Sequence, residues 1–237
     1  MEIKRYIISM VALLLGGALL VTPFFVFGYD DKTTHPALTQ EIIELFNQEF
    51  KSLKISDGDK EAIIQGSVDE DSGIRYLQHF YDPVYNRGLT LGNKEQLAAI
   101  GAALSDPNKY LSSKNWAQNT MAQAGFFNNL FAGSLTSFFS GDEDYSWNRG
   151  IYEYAWGDKK RGLSSLGHIL HLIEDASVPD HTRNDPHPPS LDTSPYESWT
   201  KKFTRQSLDL EPKERPIILS DLNSYFNSLA NYSNNNF

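Results

Sequence analysis

The 237-residue chain contains no cysteine. That excludes a disulfide scaffold and a lipidated N-terminal cysteine, and any zinc-class ion must then be held by nitrogen and oxygen. Cationic side chains are in deficit, with 21 Lys and Arg against 30 Asp and Glu and a net charge of −9. Such a balance argues against long-range attraction to duplex nucleic acid or to an anionic bilayer. It does not exclude a phosphodiester held by metal ions, because carboxylates that ligate cations are neutralised locally. Strand-like alternation, internal repeats and serine or cysteine nucleophile motifs are also lacking. The one low-complexity stretch is the Asn-rich segment Asn231–Asn236.

Only one long apolar run exists, Tyr6–Phe27, preceded by Glu2, Lys4 and Arg5. Val26 and Gly28 stand at the −3 and −1 positions of a signal-peptidase site, which would leave Tyr29 as the new N-terminus. About 20 apolar residues span a bilayer, so an uncleaved N-terminal anchor is the alternative. Either way the chain is expected to be exported, secreted or periplasmic, or tethered by residues 6–27. Residues 1–28 carry +1, so residues 29–237 carry −10 where the whole chain carries −9.

Residues 29–237 read as one all-α, multi-helix domain with long ligand-bearing loops, large enough to bury a core. Leu38, Ile42, Leu45, Phe46 and Phe50 lie close to one helical stripe over 36–50. Further helices are expected at 59–65, 94–104, 115–139, 143–157, 159–177 and 219–232. Residues 66–93 and the proline-rich 178–198 read as loops, and loops of that length are usually functional or disordered. The aromatics Tyr76, Phe80, Tyr81, Trp147, Tyr152, Tyr154 and Trp156 read mainly as core, a few of them lining a substrate cleft.

The densest chemistry lies in 167–185, G-H-I-L-H-L-I-E-D-A-S-V-P-D-H-T-R-N-D. His171 and Asp175 are four apart and therefore share a helical face. Pro179 is expected to break the helix and let His181 return toward that face from a loop. Imidazole and carboxylate are zinc-class ligands, so the stretch reads as half of a metal site. The same ligand types recur in three other segments: His35 after Thr33-Thr34, Asp69-Glu70-Asp71 before His79, and His187 before Glu197. His168 is expected to be a packing residue. Glu174, about 100° round the helix from Asp175, is expected to face solvent, and Asp180 and Asp185 read as loop residues.

The strings T-H-P-A-L-T, G-S-V-D-E-D, H-F-Y-D-P, L-G-x-x-L-H-L-x-x-D-x-x-x-P-x-H-T-R-N-D and Y-E-S-W, in this order, resemble the zinc-dependent bacterial phospholipase C family. That family shares its all-helical trinuclear fold with the single-strand-specific zinc nucleases. The resemblance spans the whole of 29–237 and implies three zinc ions in a cleft. One would take Asp71, His79, His171 and Asp175, with Asp71 favoured over Asp69 because it lies five residues after Gly66. A second would take His35, a bridging Asp175, and the amine and carbonyl of Tyr29. The third would take His181, Glu197 and His187. Two departures stand out. Tyr29 occupies the place of a tryptophan in the family, and His187 lies ten residues before Glu197 rather than about one helical turn.

The implied activity is phosphodiester hydrolysis of phospholipase C type by in-line attack of zinc-activated water, with Asp71 as ligand and candidate general base. The expected partners are a phospholipid headgroup or another phosphodiester and a membrane surface. The chain is expected to act as a monomer with no stable nucleic-acid partner. A single-strand nuclease of the same fold and a non-catalytic exported zinc-binding module are the alternatives.

Overall fold

A computed structural model describes residues 32–73, 75–90, 111–123, 143–185, 194–202 and 217–237. Among these, every extended regular element is helical: α1 (Thr34–Glu49), α2 (Asp57–Asp69), α3 (Ser113–Trp116), α4 (Trp147–Trp156), α5 (Lys159–Asp175), α6 (Pro179–Thr182), α7 (Pro195–Thr200) and α8 (Leu222–Asn236). Two 3₁₀ turns, Lys51–Leu53 and Arg75–Gln78, interrupt the connections, and Asp82 and Arg87 form a lone antiparallel bridge. Short polar side chains start most helices by accepting a first-turn N–H, as Ser56, Ser112, Ser146, Asp158, Ser194 and Asp221 do. The segment expected at 94–104, the part of the helix expected at 115–139 beyond residue 123, and the apolar run Tyr6–Phe27 lie outside the described residues. The described part of 115–139 is not one continuous helix, since α3 ends at Trp116. Among the described residues no helix is long and apolar enough to cross a membrane.

Helix α5 is the central element and packs against α1, α2, α3, α4 and α8. Its sequence carries two stripes offset by one residue. Ile169, Leu172 and Ala176 join Tyr81, Trp116, Ala117, Phe226 and Ala230 in the main apolar core. His168, His171 and Asp175 follow the same i, i+3, i+7 spacing and are buried on the neighbouring face. Toward its N-terminus Leu163 joins a second apolar cluster with Ile43, Ala62 and Ile63.

The α2–α5 crossing is unusually close. A Cβ on Gly167 would meet the Ile63 carbonyl oxygen at 2.0 Å, and one on Gly66 would meet that of Ser164 at 2.1 Å. Past α2, Gly73 adopts a φ of +70°, a left-handed turn that brings Arg75 back beneath Glu70.

Four further expectations are corrected. The segment 178–198 is not all loop: Pro179 and Pro195 begin the one-turn helices α6 and α7. Proline lacks an N–H that the first helical position does not need, so the same residue that ends α5 starts α6. Residues 66–93 likewise open with the last turn of α2, and Arg75–Gln78 is a 3₁₀ turn. The buried face of α1 is Thr34, His35, Ala37, Thr39 and Ile43, while Ile42 is exposed, because α1 turns a polar face toward the interior. On α4 only Gly150 and Glu153 are buried, so Trp147, Tyr152, Tyr154 and Trp156 are exposed, whereas Tyr76, Phe80 and Tyr81 are core.

Because the Gly167 contact is against backbone that cannot swing aside, Gly167→Ala is expected to destabilise the fold by about 1–3 kcal/mol, the usual overpacking cost. Thermal unfolding should show the lowered Tm. Gly58→Ala, at a position with open space around it, should show no such loss.

Candidate metal centre

Helix α5 presents His171 and Asp175 one turn apart, and three other parts of the chain bring ligand-type side chains to them. The C-terminal turn of α2 and the residues after it supply Asp71, the end of the 3₁₀ turn supplies His79, and α1 supplies His35. Asp175 Oδ2 lies 2.9 Å from His79 Nδ1, 3.3 Å from His171 Nε2 and 3.5 Å from His181 Nδ1, while Asp175 Oδ1 lies 3.5 Å from His35 Nε2. Asp71 Oδ1 lies 3.6 Å from both His79 Nδ1 and His171 Nε2. His35, Asp71 and His171 form one group whose ligand atoms all lie within 4.8 Å of one another, and His79, His171 and Asp175 form another. His171 belongs to both, so the residues make one continuous cluster. The His35 and His171 rings stack at 3.6 Å.

On the far side of Asp175, His181 Nε2 lies 3.8 Å from Glu197 Oε1. His181 sits in α6 rather than a loop, its ring stacked on Phe80 and its carbonyl accepting from the Tyr81 N–H. That contact joins the H-F-Y-D string to α6. Asn184, in the same T-R-N-D string, binds Thr90 N and Gly88 O and so holds the 88–90 segment alongside. Helix α7, which carries Glu197, is anchored from two directions: Ser194 Oγ donates to Asp180, and Thr34 Oγ1 donates to the Thr200 carbonyl at 3.1 Å.

The buried donor set fits a cation. His79, His171 and Asp175 are 0 % exposed. Neither nitrogen of His79, neither oxygen of Asp71 or Asp175, nor His171 Nε2 has a hydrogen-bond partner. Buried polar atoms left this way cost roughly 1–3 kcal/mol each, and here all but His79 Nε2, which faces Glu70, lie toward one another. Histidine tautomers are set by neighbours. His171 Nδ1 lies 2.7 Å from the Ser67 carbonyl, which only accepts, so that nitrogen carries the proton and Nε2 presents a lone pair to Asp71 and Asp175. The Ser67 carbonyl is available because it lies in the last turn of α2.

Charge follows the same geometry. Burial, and then the neighbouring His35, push the His171 pKa down, which keeps the ring neutral and able to ligate. Burial alone would raise Asp175, but His181, His171 and His79 hold it well below the usual carboxylate range. Burial raises Asp71. His35 and His79 are both pushed up to about 10: burial lowers them, but Asp175, with Glu174 for His35 and with Glu70 and Asp71 for His79, outweighs it.

Of the residues singled out from sequence, the structure brings together His35, Asp71, His79, His171, Asp175, His181 and Glu197. Tyr29 and His187 lie outside the described residues. Asp69 is turned away, accepting from Gln65 at 2.8 Å. His168 is buried, as a packing residue would be, with its ring stacked on Tyr145, and its Nδ1 lies 2.5 Å from Glu70 Oε2. Glu174 does not face solvent: at 6 % exposed it meets His35 Nδ1 at 2.6 Å and accepts from Thr39 Oγ1 at 2.8 Å. The reason is that α1 covers that side of α5. Sequence reasoning also passed over Glu70, which is fully buried and is held by Arg75 at 2.7 Å and Trp116 Nε1 at 3.0 Å. The available signal was the repeated Glu-Asp pair in V-D-E-D and L-I-E-D. Asp71 at 3 % and Glu197 at 6 % are the most exposed members of the cluster. Searches against family models, curated proteins and solved structures found no match to this chain.

Two protonated histidines at neutral pH have a testable consequence. Their folded pKa values lie above the ordinary 6.5, so in metal-free protein their stabilisation is full below pH 6.5 and is lost as pH rises through about 10. A metal ion must displace those protons. Uptake at pH 7 should therefore release about two protons per chain, with affinity rising with pH. Calorimetric titration in buffers of different ionisation heat measures this, and uptake without proton release would contradict the assignment.

Proposed function

We propose that the chain is a zinc-dependent phosphodiester hydrolase of phospholipase C type, a member of the family its motifs resemble. The observation that carries the reading is the buried set of Asp71, His79, His171 and Asp175, in which both oxygens of each aspartate, His79 Nδ1 and His171 Nε2 make no hydrogen bond and the ligand atoms lie close enough together to hold an ion. Nitrogen and oxygen donors without thiolate suit zinc bound for catalysis, whereas calcium and magnesium sites draw on oxygen alone.

Asp71, His79, His171 and Asp175 would hold one ion, His35 with Asp175 a second, and His181 with Glu197 a third. Zinc supplies Lewis acidity toward the phosphoryl oxygens and an acidified water. The chain's own residues do the rest. Ser67 fixes His171 in its ligating tautomer. Burial of His79 and Asp175 keeps bulk water off their ligand atoms. Asp71, with both oxygens unpartnered, would accept a proton at Oδ. The −10 charge of residues 29–237 favours a compact phospholipid headgroup over a long polyanion. In this reading residues 1–28 direct export, and the enzyme meets its substrate outside the cytoplasm at a membrane surface.

The purified protein should hydrolyse phosphatidylcholine, lose that activity to a chelator and regain it with Zn²⁺. Asp175→Asn should fall to the level of the chelated protein, because Asp175 faces four histidines. Chelator-resistant hydrolysis would refute the mechanism. Cleavage of single-stranded DNA but not lipid would assign the nuclease specificity, and stoichiometric zinc with neither activity would leave a binding module.

A further inference from the structure

Two of the sequence segments that supply ligands to the cluster contain a Glu-Asp pair, Glu70-Asp71 and Glu174-Asp175, and in both the two carboxylates part company. Asp71 and Asp175 face the shared cluster. Their preceding glutamates, a backbone step away, reach instead to the outer side of a histidine ring. Glu174 Oε2 lies 2.6 Å from His35 Nδ1, whose Nε2 is the nitrogen 3.5 Å from Asp175. Glu70 Oε1 lies 3.7 Å from His79 Nε2, whose Nδ1 is the nitrogen 2.9 Å from Asp175. The two histidines thus turn opposite ring nitrogens inward, and in each case a glutamate stands behind the other nitrogen.

Both glutamates are themselves fixed. Thr39 Oγ1 holds Glu174 Oε1 from α1. Arg75 and Trp116 hold Glu70, with His168 Nδ1 on the same carboxylate, and Arg75 lies against the Trp116 and Tyr145 rings at 5.2 and 5.4 Å. Glu174, held in this way, accepts the His35 Nδ1–H and cannot readily rotate off it. The fixed charge of Glu70, 3.7 Å from His79 Nε2 and beyond hydrogen-bond length, favours the proton on that nitrogen. Each carboxylate thereby biases which ring nitrogen keeps its lone pair.

Resting on the metal-centre reading above, we infer that Glu174 and Glu70 are positioning residues that select the ligating nitrogen, Nε2 on His35 and Nδ1 on His79. Neither glutamate touches the ion. Each Glu-Asp pair is a two-part device, the aspartate binding metal and the glutamate aiming a histidine from another segment.

The test compares the full-length chain with Glu174→Gln and Glu70→Gln, each nearly isosteric, using Zn²⁺ and Co²⁺ as probes. Competition against a chromophoric chelator should show each variant losing about 10–100-fold in affinity for its most weakened ion, the range for outer partners of metal-bound histidine. Long-range ¹H–¹⁵N spectra of the zinc-loaded wild type should show His35 protonated at Nδ1 and His79 at Nε2, each pattern disturbed only in its own variant. The gain in Tm on adding metal should shrink while the metal-free Tm moves less. Wild-type affinity with unchanged tautomers in both variants would overturn the inference. So would an affinity loss matched by an equal fall in metal-free Tm, which would mark the glutamates as merely structural. Wild-type protein that takes up no metal would instead overturn the metal-centre reading itself.

Discussion

The structure is organised around a concentration of buried charge. Glu70, Asp71, Glu174, Asp175 and Glu197 are all at most 6 % exposed, as are His35, His79, His168, His171 and His181. Among the described residues of this region Arg75 is the one buried guanidinium, and it is committed to Glu70. Removing an ion from water costs several kcal/mol even after relaxation, so such a group of carboxylates is tolerable only if positive charge comes with it. Protonated histidines can supply that charge, and the raised His35 and His79 show the fold drawing on them. They supply it poorly, because an imidazolium offers only two N–H groups in fixed directions and the lone pairs of Asp71 and Asp175 remain without hydrogen bonds. A divalent cation reached by several oxygens and nitrogens together resolves the same deficit without a linear N–H for each contact.

That constraint explains the architecture. A helix that must bury both an apolar stripe and a ligand stripe has to be enclosed on all sides, and α5 is. The close α2–α5 approach at Gly66 and Gly167 brings the last-turn carbonyl of Ser67 within reach of His171 and sets Asp71 opposite it. A larger residue at either glycine would separate the histidine from the carbonyl that fixes its tautomer. Packing and ligand chemistry here are the same contact.

The legible part of the sequence was the part governed by short-range spacing. His171 and Asp175 share a face because four residues make about one turn. The chain turns at Pro179 to return His181 toward that face, though from a short helix rather than a loop. His79 was placed there by the family resemblance alone. Glu174 was misread because spacing on α5 says only that it points away from Asp175. That this direction meets α1, with His35 and Thr39 on it, is a tertiary fact. Glu70 was hidden by its setting between two aspartates, where one residue is normally solvated, and its burial depends on Arg75 and Trp116 from other segments. The helical turns at Pro179 and Pro195 were read as loop because proline marks an end and a beginning equally.

The distribution of ligands over elements bears on how such a site could work. His35, His171, Asp175, His181 and Glu197 sit on helices, and only Asp71 and His79 sit in connections, the latter tied down by its backbone bond to Tyr76. Helix-borne ligands are held to narrower geometry than loop-borne ones. The pair His171 and Asp175, borne on the central packed helix, therefore lies beside a peripheral pair, His181 and Glu197, whose position depends on one-turn helices pinned by Ser194, Asp180, Thr34 and Thr200. Short helices with few anchors open at lower free energy than a central packed helix. If the cluster admits a substrate, the α6–α7 side is where the fold yields most readily, and that side carries the more exposed carboxylate, Glu197. In the proposed function, the tight interior would fix metal geometry and the softer margin would admit a phosphodiester, the difference being set by how many contacts hold each helix.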